Sequence, residues 1–291
     1  MAGVELSRLD KVFWPEDGLT KGDLIAYLDA VAPAMLRYLR GRPLTVKRYP
    51  DGVTGQAFYQ KNTPGYAPAF VRRITLRADT ARRDVAYTLA NDRRTLLWLG
   101  NQAVIEFHPF LSRVDALDRP EMLLFDIDPP EGRFDLAART AVLTREVLAD
   151  HGLEAGVKTS GAKGVHVVVP LVRRYGYAEA ARAAVRLAEE AAAREPSEVT
   201  VEFLKAQRGG RVFLDWTRIG LGKHVVAPYS PRARPGAPVS FPVPWDRLER
   251  GKADPLEHTI VTVPKAMERG SDPWDAALPS AQSLPRDLTA E

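Results

Sequence analysis

Residues 123–128 read Leu-Leu-Phe-Asp-Ile-Asp, and Pro129 and Pro130 follow at once. Apolar residues flank and separate the two acids, which is the pattern of a buried strand, and the prolines end it. Side chains alternate faces along a strand, so Asp126 and Asp128 project the same way at its C-terminal end. Two neighbouring carboxylates repel, and burying them costs about several kcal/mol unless cations or strong donors compensate. A fold that accepts this strand must therefore bring positive charge or water to its end. A divalent cation, Mg²⁺ or Mn²⁺, clamped by the carboxylates is one solution. A water-bathed acidic cap on the strand is the other.

Residues 159–170, Thr-Ser-Gly-Ala-Lys-Gly-Val-His-Val-Val-Val-Pro, favour the first solution. Ser160-Gly161-Ala162-Lys163-Gly164 is a glycine-punctuated turn entering a valine strand. Its glycines let backbone N–H groups approach an anion, and Lys163 adds charge. A lone histidine among valines is ordinarily a satisfied core residue, but beside Ser160 and Lys163, His166 reads as a triphosphate contact. The turn lacks the Walker spacing and leads into a strand, not a helix, so it is no P-loop. Arg211-Val-Phe-Leu-Asp215-Trp is a further short strand ending in an acid, preceded by Lys205 and Arg208. Three acids on strand ends, a phosphate-type turn and nearby cations describe two-metal nucleotidyl transfer.

These strings, F-D-I-D-P, S-G-x-K-G-x-H-V-x-V-P, R-V-F-L-D-W and A-P-Y-S-P-R-A-R-P-G-A-P-V-S, resemble the polymerase domain of bacterial ligase D. That domain belongs to the archaeo-eukaryotic primase superfamily and serves non-homologous end joining. The resemblance runs from about Leu6 to about Trp245. It implies that Asp126, Asp128 and Asp215 hold two metals, with Asp215 serving the one that activates a primer 3′-OH. It gives Ser160, Lys163 and His166 the incoming triphosphate, aided by His108 and Arg208. It places Arg232 and Arg234 on nucleotide or template phosphate, and Lys47 near the sugar and phosphates of the nucleotide. Phe58 and Tyr59 would stack on bases, with Lys61 on the DNA backbone. Lys11 and Lys21 would recognise a 5′-phosphate on the downstream strand of a break. The chain departs from the family at Tyr59, usually Phe, at Ile219, often Asn, and at Arg8, often Asn. The resemblance further implies Mn²⁺ or Mg²⁺ as cofactor with a preference for Mn²⁺, and ribonucleotides as preferred NTPs. Gapped or broken DNA, Ku and a DNA ligase are the implied partners. No K-x-D-G ligase motif occurs, so ligation is expected from elsewhere. A metal-dependent nuclease or phosphatase, and a DNA-end bridging module without chemistry, are the alternatives. The triphosphate turn weighs against the first, and three acids facing an anionic ligand weigh against the second.

The 291 residues contain no cysteine, which excludes disulfides and thiolate chemistry and fits a reducing cytoplasm, with nucleoid association expected. The start, Met1-Ala-Gly-Val-Glu, suggests no signal peptide, and no apolar run approaches the ~18 residues of a membrane span. The net charge is only +4, yet the pI of 9.3 tilts toward anionic partners. Arg72, Arg73, Arg77, Arg82, Arg83, Arg93 and Arg94 cluster as either a solvated hairpin or, preferentially, a nucleic-acid surface.

Hydrophobic periods predict a helix opened by a capping box at Thr20-Lys-Gly-Asp23, kinked or divided at Pro33. Helices are also expected over Thr95–Leu99, Leu136–Asp150 and Ala178–Arg194. Strands are expected at Leu44–Arg48, Ala57–Gln60, Ile74–Arg77, Asp84–Thr88, Val104–Phe107, Val199–Leu204, Arg211–Asp215 and His224–Ala227. The fold class is thus mixed α+β (α/β): an RRM-like catalytic sheet between Met122 and Asp215 plus a smaller N-terminal αβ lobe, a two-lobed primase-polymerase fold. The lobes are expected over about residues 1–110 and 111–270 of one catalytic unit, with 271–291 as a surface tail.

Overall fold

The computed structural model describes residues 3–78, 83–267 and 272–290. One compact unit takes the chain up to Asp115 together with His224–Ser240 and a stretch from His258. The other takes Ala116–Lys223, Phe241–Glu257 and the C-terminal residues.

In the first unit, β1 (Val12–Trp14) and β2 (Leu19–Thr20) form a short hairpin leading into α1 (Lys21–Leu39). Thr20 caps α1: its hydroxyl accepts from the Asp23 N–H at 3.2 Å, and Asp23 Oδ2 accepts from the Thr20 N–H at 2.7 Å. The reciprocal pair satisfies two donors that a helix start leaves open. Leu24, Ile25, Leu28, Met35, Leu36 and Leu39 are buried. Pro33 does not divide the helix, which runs unbroken past it. Burial of Leu28, Val31, Met35 and Leu36 around the proline offsets the one hydrogen bond it removes.

Strands β3 (Leu44–Arg48), β4 (Phe58–Gln60), β5 (Arg73–Ala78), β6 (Arg83–Thr88) and β7 (Val104–Pro109) make a five-stranded sheet among the described residues. The order is β4-β3-β6-β5, with β7 also paired to β3. Helix α2 (Arg93–Asn101), capped by Asp92, packs on α1. β7 continues through His108 to Pro109, so that histidine is a strand residue with Thr45 as its cross-strand partner.

The second unit runs β8 (Met122–Asp128), α3 (Phe134–Asp150), β9 (Gly156–Thr159), β10 (Val165–Pro170), α4 (Tyr177–Arg194), β11 (Val199–Thr200) and β12 (Val212–Asp215). The sheet order is β11-β12-β8-β10-β9. Without β11, this is a β-α-β-β-α-β arrangement with β8 and β10 central, the RRM-like sheet expected. Leu123, Phe125, Ile127, Val165, Val167 and Val169 are fully buried on one face. Helices α3 and α4 pack there, α4 approaching through buried Ala180, Ala183, Ala184, Ala188 and Ala191. The acids therefore have the opposite face.

Four expectations need correction. The strand over Val199–Leu204 ends at Thr200, because Phe203 and Leu204 turn outward into solvent instead of packing. His224–Ala227 is no strand: it makes one isolated bridge, Phe110 to His224, and the Ala227 N–H donates to the Phe107 carbonyl. The N-terminal part ends at Asp115 and recruits His224–Ser240, which a contiguous division near residue 110 did not foresee. The C-terminal stretch is no surface tail. Trp274, Leu284 and Leu288 are buried, Tyr175 Oη accepts from the Leu284 N–H at 2.9 Å, and Arg182 donates to the Thr289 carbonyl. No helix among the described residues is long and apolar enough to cross a membrane.

Candidate nucleotidyl-transfer site

Antiparallel register draws a row of ionisable side chains across the acid-bearing face. Lys158 on β9 opposes His166 on β10, His166 opposes Asp126 on β8, and Asp126 opposes Asp215 on β12. Directly opposed residues share a face and lie about 5 Å apart. Lys158 Nζ lies 2.8 Å from His166 Nδ1, and His166 Nε2 lies 3.3 Å from Asp126 Oδ1. A protonated Lys158 is donor-only, so Nδ1 accepts and the ring proton stands on Nε2, facing the carboxylate. On the other flank, Arg218 Nε lies 3.5 Å from Asp126 Oδ2 and 3.1 Å from Asp215 Oδ2. Thr217 donates to Asp215 Oδ1 through both its N–H, at 2.8 Å, and its hydroxyl, at 2.6 Å. Burial alone would raise the Asp126 pKa; His166, Arg218 and Lys158 outweigh it and hold the carboxyl at about 2. Asp128, two residues on and more exposed, has Lys163 Nζ at 3.4 Å.

All three acids are oxygen donors on one face, the ligand chemistry of a hard divalent cation such as Mg²⁺ or Mn²⁺. Arg218 bridges Asp126 and Asp215 as a cation does. Among the described residues no group of three His, Asp or Glu side chains stands in metal-holding convergence. The donor set fits the ion, and Arg218 now supplies the countercharge.

The Ser160–Gly164 turn sits beside this row. The Ser160 hydroxyl accepts from the N–H groups of Ala162 and Gly164, each at 3.2 Å, which closes the turn on itself. Gly161 has φ +66, and a Cβ on Gly164 would fall 2.1 Å from the Ile127 carbonyl oxygen. Glycine is required at both places for different reasons, handedness and contact. Lys163 reaches across β8's end to donate to the Pro129 carbonyl at 2.9 Å. Arg208 lies against the Phe213 ring, 3.8 Å from its centroid, and donates to the Glu202 and Phe203 carbonyls.

The first unit carries a second constellation. Tyr59, Lys47 and Glu106 oppose one another across β4, β3 and β7. Lys47 Nζ lies 5.5 Å from the Tyr59 ring centroid and 5.2 Å from that of Tyr49. Buried Glu106 gathers His108 Nε2 at 3.2 Å, the Tyr49 hydroxyl at 3.1 Å and Arg232 Nε at 3.5 Å. Burial opposes its charge, but the His108 hydrogen bond, Arg232 and Lys47 hold its carboxyl at about 2. Burial lowers the His108 pKa, with Arg232 and Lys47 adding to the effect against Glu106, so its ring is neutral near pH 7. The Tyr59 ring stands edge-on to His108. Phe58 and Tyr59 are both exposed, yet adjacent strand positions face opposite ways. Phe58 meets Arg48 instead, at 5.5 Å. Lys61 and Arg234 are exposed.

Arg8, Lys11, Lys21 and Arg48 line a cavity of about 320 Å³ with Asn101 and Gln102. Lys11 Nζ donates to the Pro50 carbonyl at 2.6 Å and to Asp51 at 2.8 Å; Lys21 Nζ donates to the Ser7 carbonyl at 2.6 Å. Burial, with Arg8 and Lys11 nearby, lowers the Lys21 pKa. Arg8 adopts φ +51, an uncommon left-handed backbone for a non-glycine residue. Of the arginine cluster, Arg93 is tied to Asp29, Arg94 covers Phe70 and Arg77 pairs with Asp84, while Arg82 lies outside the described residues.

Sequence reasoning missed Lys158, Arg218 and Glu106. Arg218 stands three residues beyond Asp215, a spacing that could have flagged it. Lys158 and Glu106 read locally as ordinary strand residues, and only their cross-strand partners give them a role.

Residues 20–274 match the family described as LigD, primase-polymerase domain. A multifunctional non-homologous end joining protein LigD from Mycolicibacterium smegmatis is 35% identical over 261 residues, 88% of this chain and 33% of that protein. A bifunctional non-homologous end joining protein LigD from Bacillus subtilis is 31% identical over 273 residues, 93% of this chain and 43% of that protein. The match therefore spans about a third to two fifths of the length of these relatives. The polymerase domain of Mycobacterium tuberculosis ligase D, solved in complex with DNA, matches with TM-score 0.88 at 32% identity. That match covers 97% of this chain and 100% of the solved one.

Proposed function

The chain belongs to the LigD primase-polymerase domain family, whose members are nucleotidyltransferases, and from that premise we propose that it extends a primer 3′-OH with NTPs on a DNA template. The substrates are gaps and double-strand breaks in non-homologous end joining, with Ku and a DNA ligase as partners and ribonucleotides preferred. The observation that carries the reading is the cationic and acidic row of Lys158, His166, Asp126 and Asp215 beside the Ser160–Gly164 turn. Asp126, Asp128 and Asp215 would hold two Mn²⁺ or Mg²⁺ ions, which supply charge stabilisation at the reacting phosphoryl group and a more acidic 3′-OH.

The chain's own residues do the rest. Lys163 receives triphosphate oxygens, and Ser160, whose hydroxyl accepts from the Ala162 and Gly164 N–H groups, holds the turn in shape beside them. His166 presents Nε2–H toward the same edge, fixed there by Lys158. In the first unit, Lys47, His108, Arg232 and Arg234 serve nucleotide and template phosphates, and Tyr59 offers a ring to a base, with Phe58 and Lys61 on the DNA. Lys11 and Lys21 serve a downstream 5′-phosphate.

The test is extension of a labelled primer–template with each NTP and dNTP, in Mg²⁺ and in Mn²⁺. Template-matched addition with NTPs favoured is expected, strongest in Mn²⁺. Shortening of the primer without addition would make the protein a nuclease, and binding without either would make it an end-bridging module.

A further inference from the structure

We propose that Phe203 and Leu204 form a stacking platform for the terminal base of the DNA strand that carries the 3′-OH, an inference that rests on the polymerase reading. Phe203 is 66% exposed and Leu204 57% exposed, an unusual pair of large apolar side chains to leave in water. They project from the segment between β11 and β12, which also carries Lys205, Arg208 and Arg211 against a single acid, Glu202. An apolar ring among cations suits a base with its phosphodiester and suits an acidic or purely apolar protein surface less well.

The ring is anchored. Phe203 meets Phe213 edge-on at 6.3 Å between centroids, and Arg208 covers the same Phe213. Phe213 is the cross-strand partner of Asp128, so the platform borders the acid-bearing face. Topology then selects the strand. The triphosphate turn precedes β10, and the Phe203 segment precedes β12; β8 with Asp126 and Asp128 lies between them. Phosphoryl transfer places attacking and leaving oxygens in line on opposite sides of phosphorus. With the leaving pyrophosphate on the β10 side, the attacking 3′-OH enters from the β12 side, where Phe203 stands.

The experiment compares wild type with Phe203→Ala and Phe203→Trp on a primer–template holding 2-aminopurine either at the primer 3′ end or in the template. Wild type should quench the primer probe, Phe203→Ala should lose the quench, and Phe203→Trp should keep it. In extension assays Phe203→Ala should raise KM for primer–template about tenfold, leaving KM for NTP unchanged. Its melting temperature should match wild type, since the ring is mostly in water. Quenching of the template probe alone, or unchanged primer quenching in Phe203→Ala, overturns the platform. Loss of melting temperature together with kcat would make Phe203 structural, and a change in oligomeric state would make the patch a contact between copies. A wild type that extends no primer sinks the polymerase reading instead, and the quenching arm still judges the platform.

Discussion

Asp126 lies between His166 and Arg218, with Lys158 behind the histidine, and these donors lower the cost of a charge on a largely covered strand. Asp126→Asn and Asp128→Asn each keep the side-chain shape and remove one charge. Extension should fall about a hundredfold or more, equivalent to roughly 3 kcal/mol of lost transition-state stabilisation, with far-UV circular dichroism unchanged. Near-normal extension by either variant would remove these acids from the chemistry. Glu106 makes a separate prediction. Its pKa in the fold, about 2, lies below the ordinary 4.5, so its charge stabilises the fold fully above about pH 4.5. That contribution, roughly 3 kcal/mol, fades as pH falls toward 2. Glu106→Gln should therefore be less stable than wild type in urea at pH 7, and the gap should narrow at pH 3. A gap independent of pH would mean that packing, not charge, holds His108 and Arg232. The pairing of the two aspartates was legible because both stand on one strand with alternating apolar neighbours. Glu106 was not, because its partners Tyr49 and Arg232 come from distant stretches of chain.

Elements bounded by local chemistry were read closely. The Thr20–Asp23 box opens α1, β3 spans Leu44–Arg48 as expected, and α3 ends at Asp150 with Gly152 beyond it. Elements ended by packing were not: the strand after Val199 stops where Phe203 leaves the sheet, and the C-terminal stretch is held by Leu284 and Leu288. The Ser160–Gly164 turn belongs to the first kind, and it yields a sharp test. Gly164→Ala would drive a Cβ into the Ile127 carbonyl, so the turn must shift away from β8. We expect a loss of a few kcal/mol in stability, about 2–4 by the scale of forced backbone displacement, and NTP use impaired more than DNA binding. Wild-type melting and kinetics in this variant would show that the turn is looser than its geometry.

Over the whole molecule the net charge of +4 is small, so the proposed binding to DNA must rest on where cations gather. Arg8, Lys11 and Lys21 converge on one cavity although residues of three different local structures supply them. Wild type should bind a gapped DNA with a 5′-phosphate about tenfold more tightly than the same gap without it. The Lys11→Ala, Lys21→Ala double variant should lose that preference, and its log–log salt dependence should flatten by roughly one to two. Equal wild-type affinity for both DNAs would leave the lysines as internal partners of Pro50, Asp51 and Ser7 alone. What the sequence determined by itself were the parts whose cause is local: the strand with two acids, its proline stop, the glycine turn, the capped helix and the apolar periods. Those depend on dihedral preference and on spacing of a few residues. The tertiary structure decided which parts meet. Strand register set Lys158, His166, Asp126 and Asp215 in one row and brought Lys47 opposite Glu106. Register is fixed by burial of a whole sheet face, in the second unit against α3 and α4, rather than by any one residue's neighbours in the chain, so no local pattern could announce it.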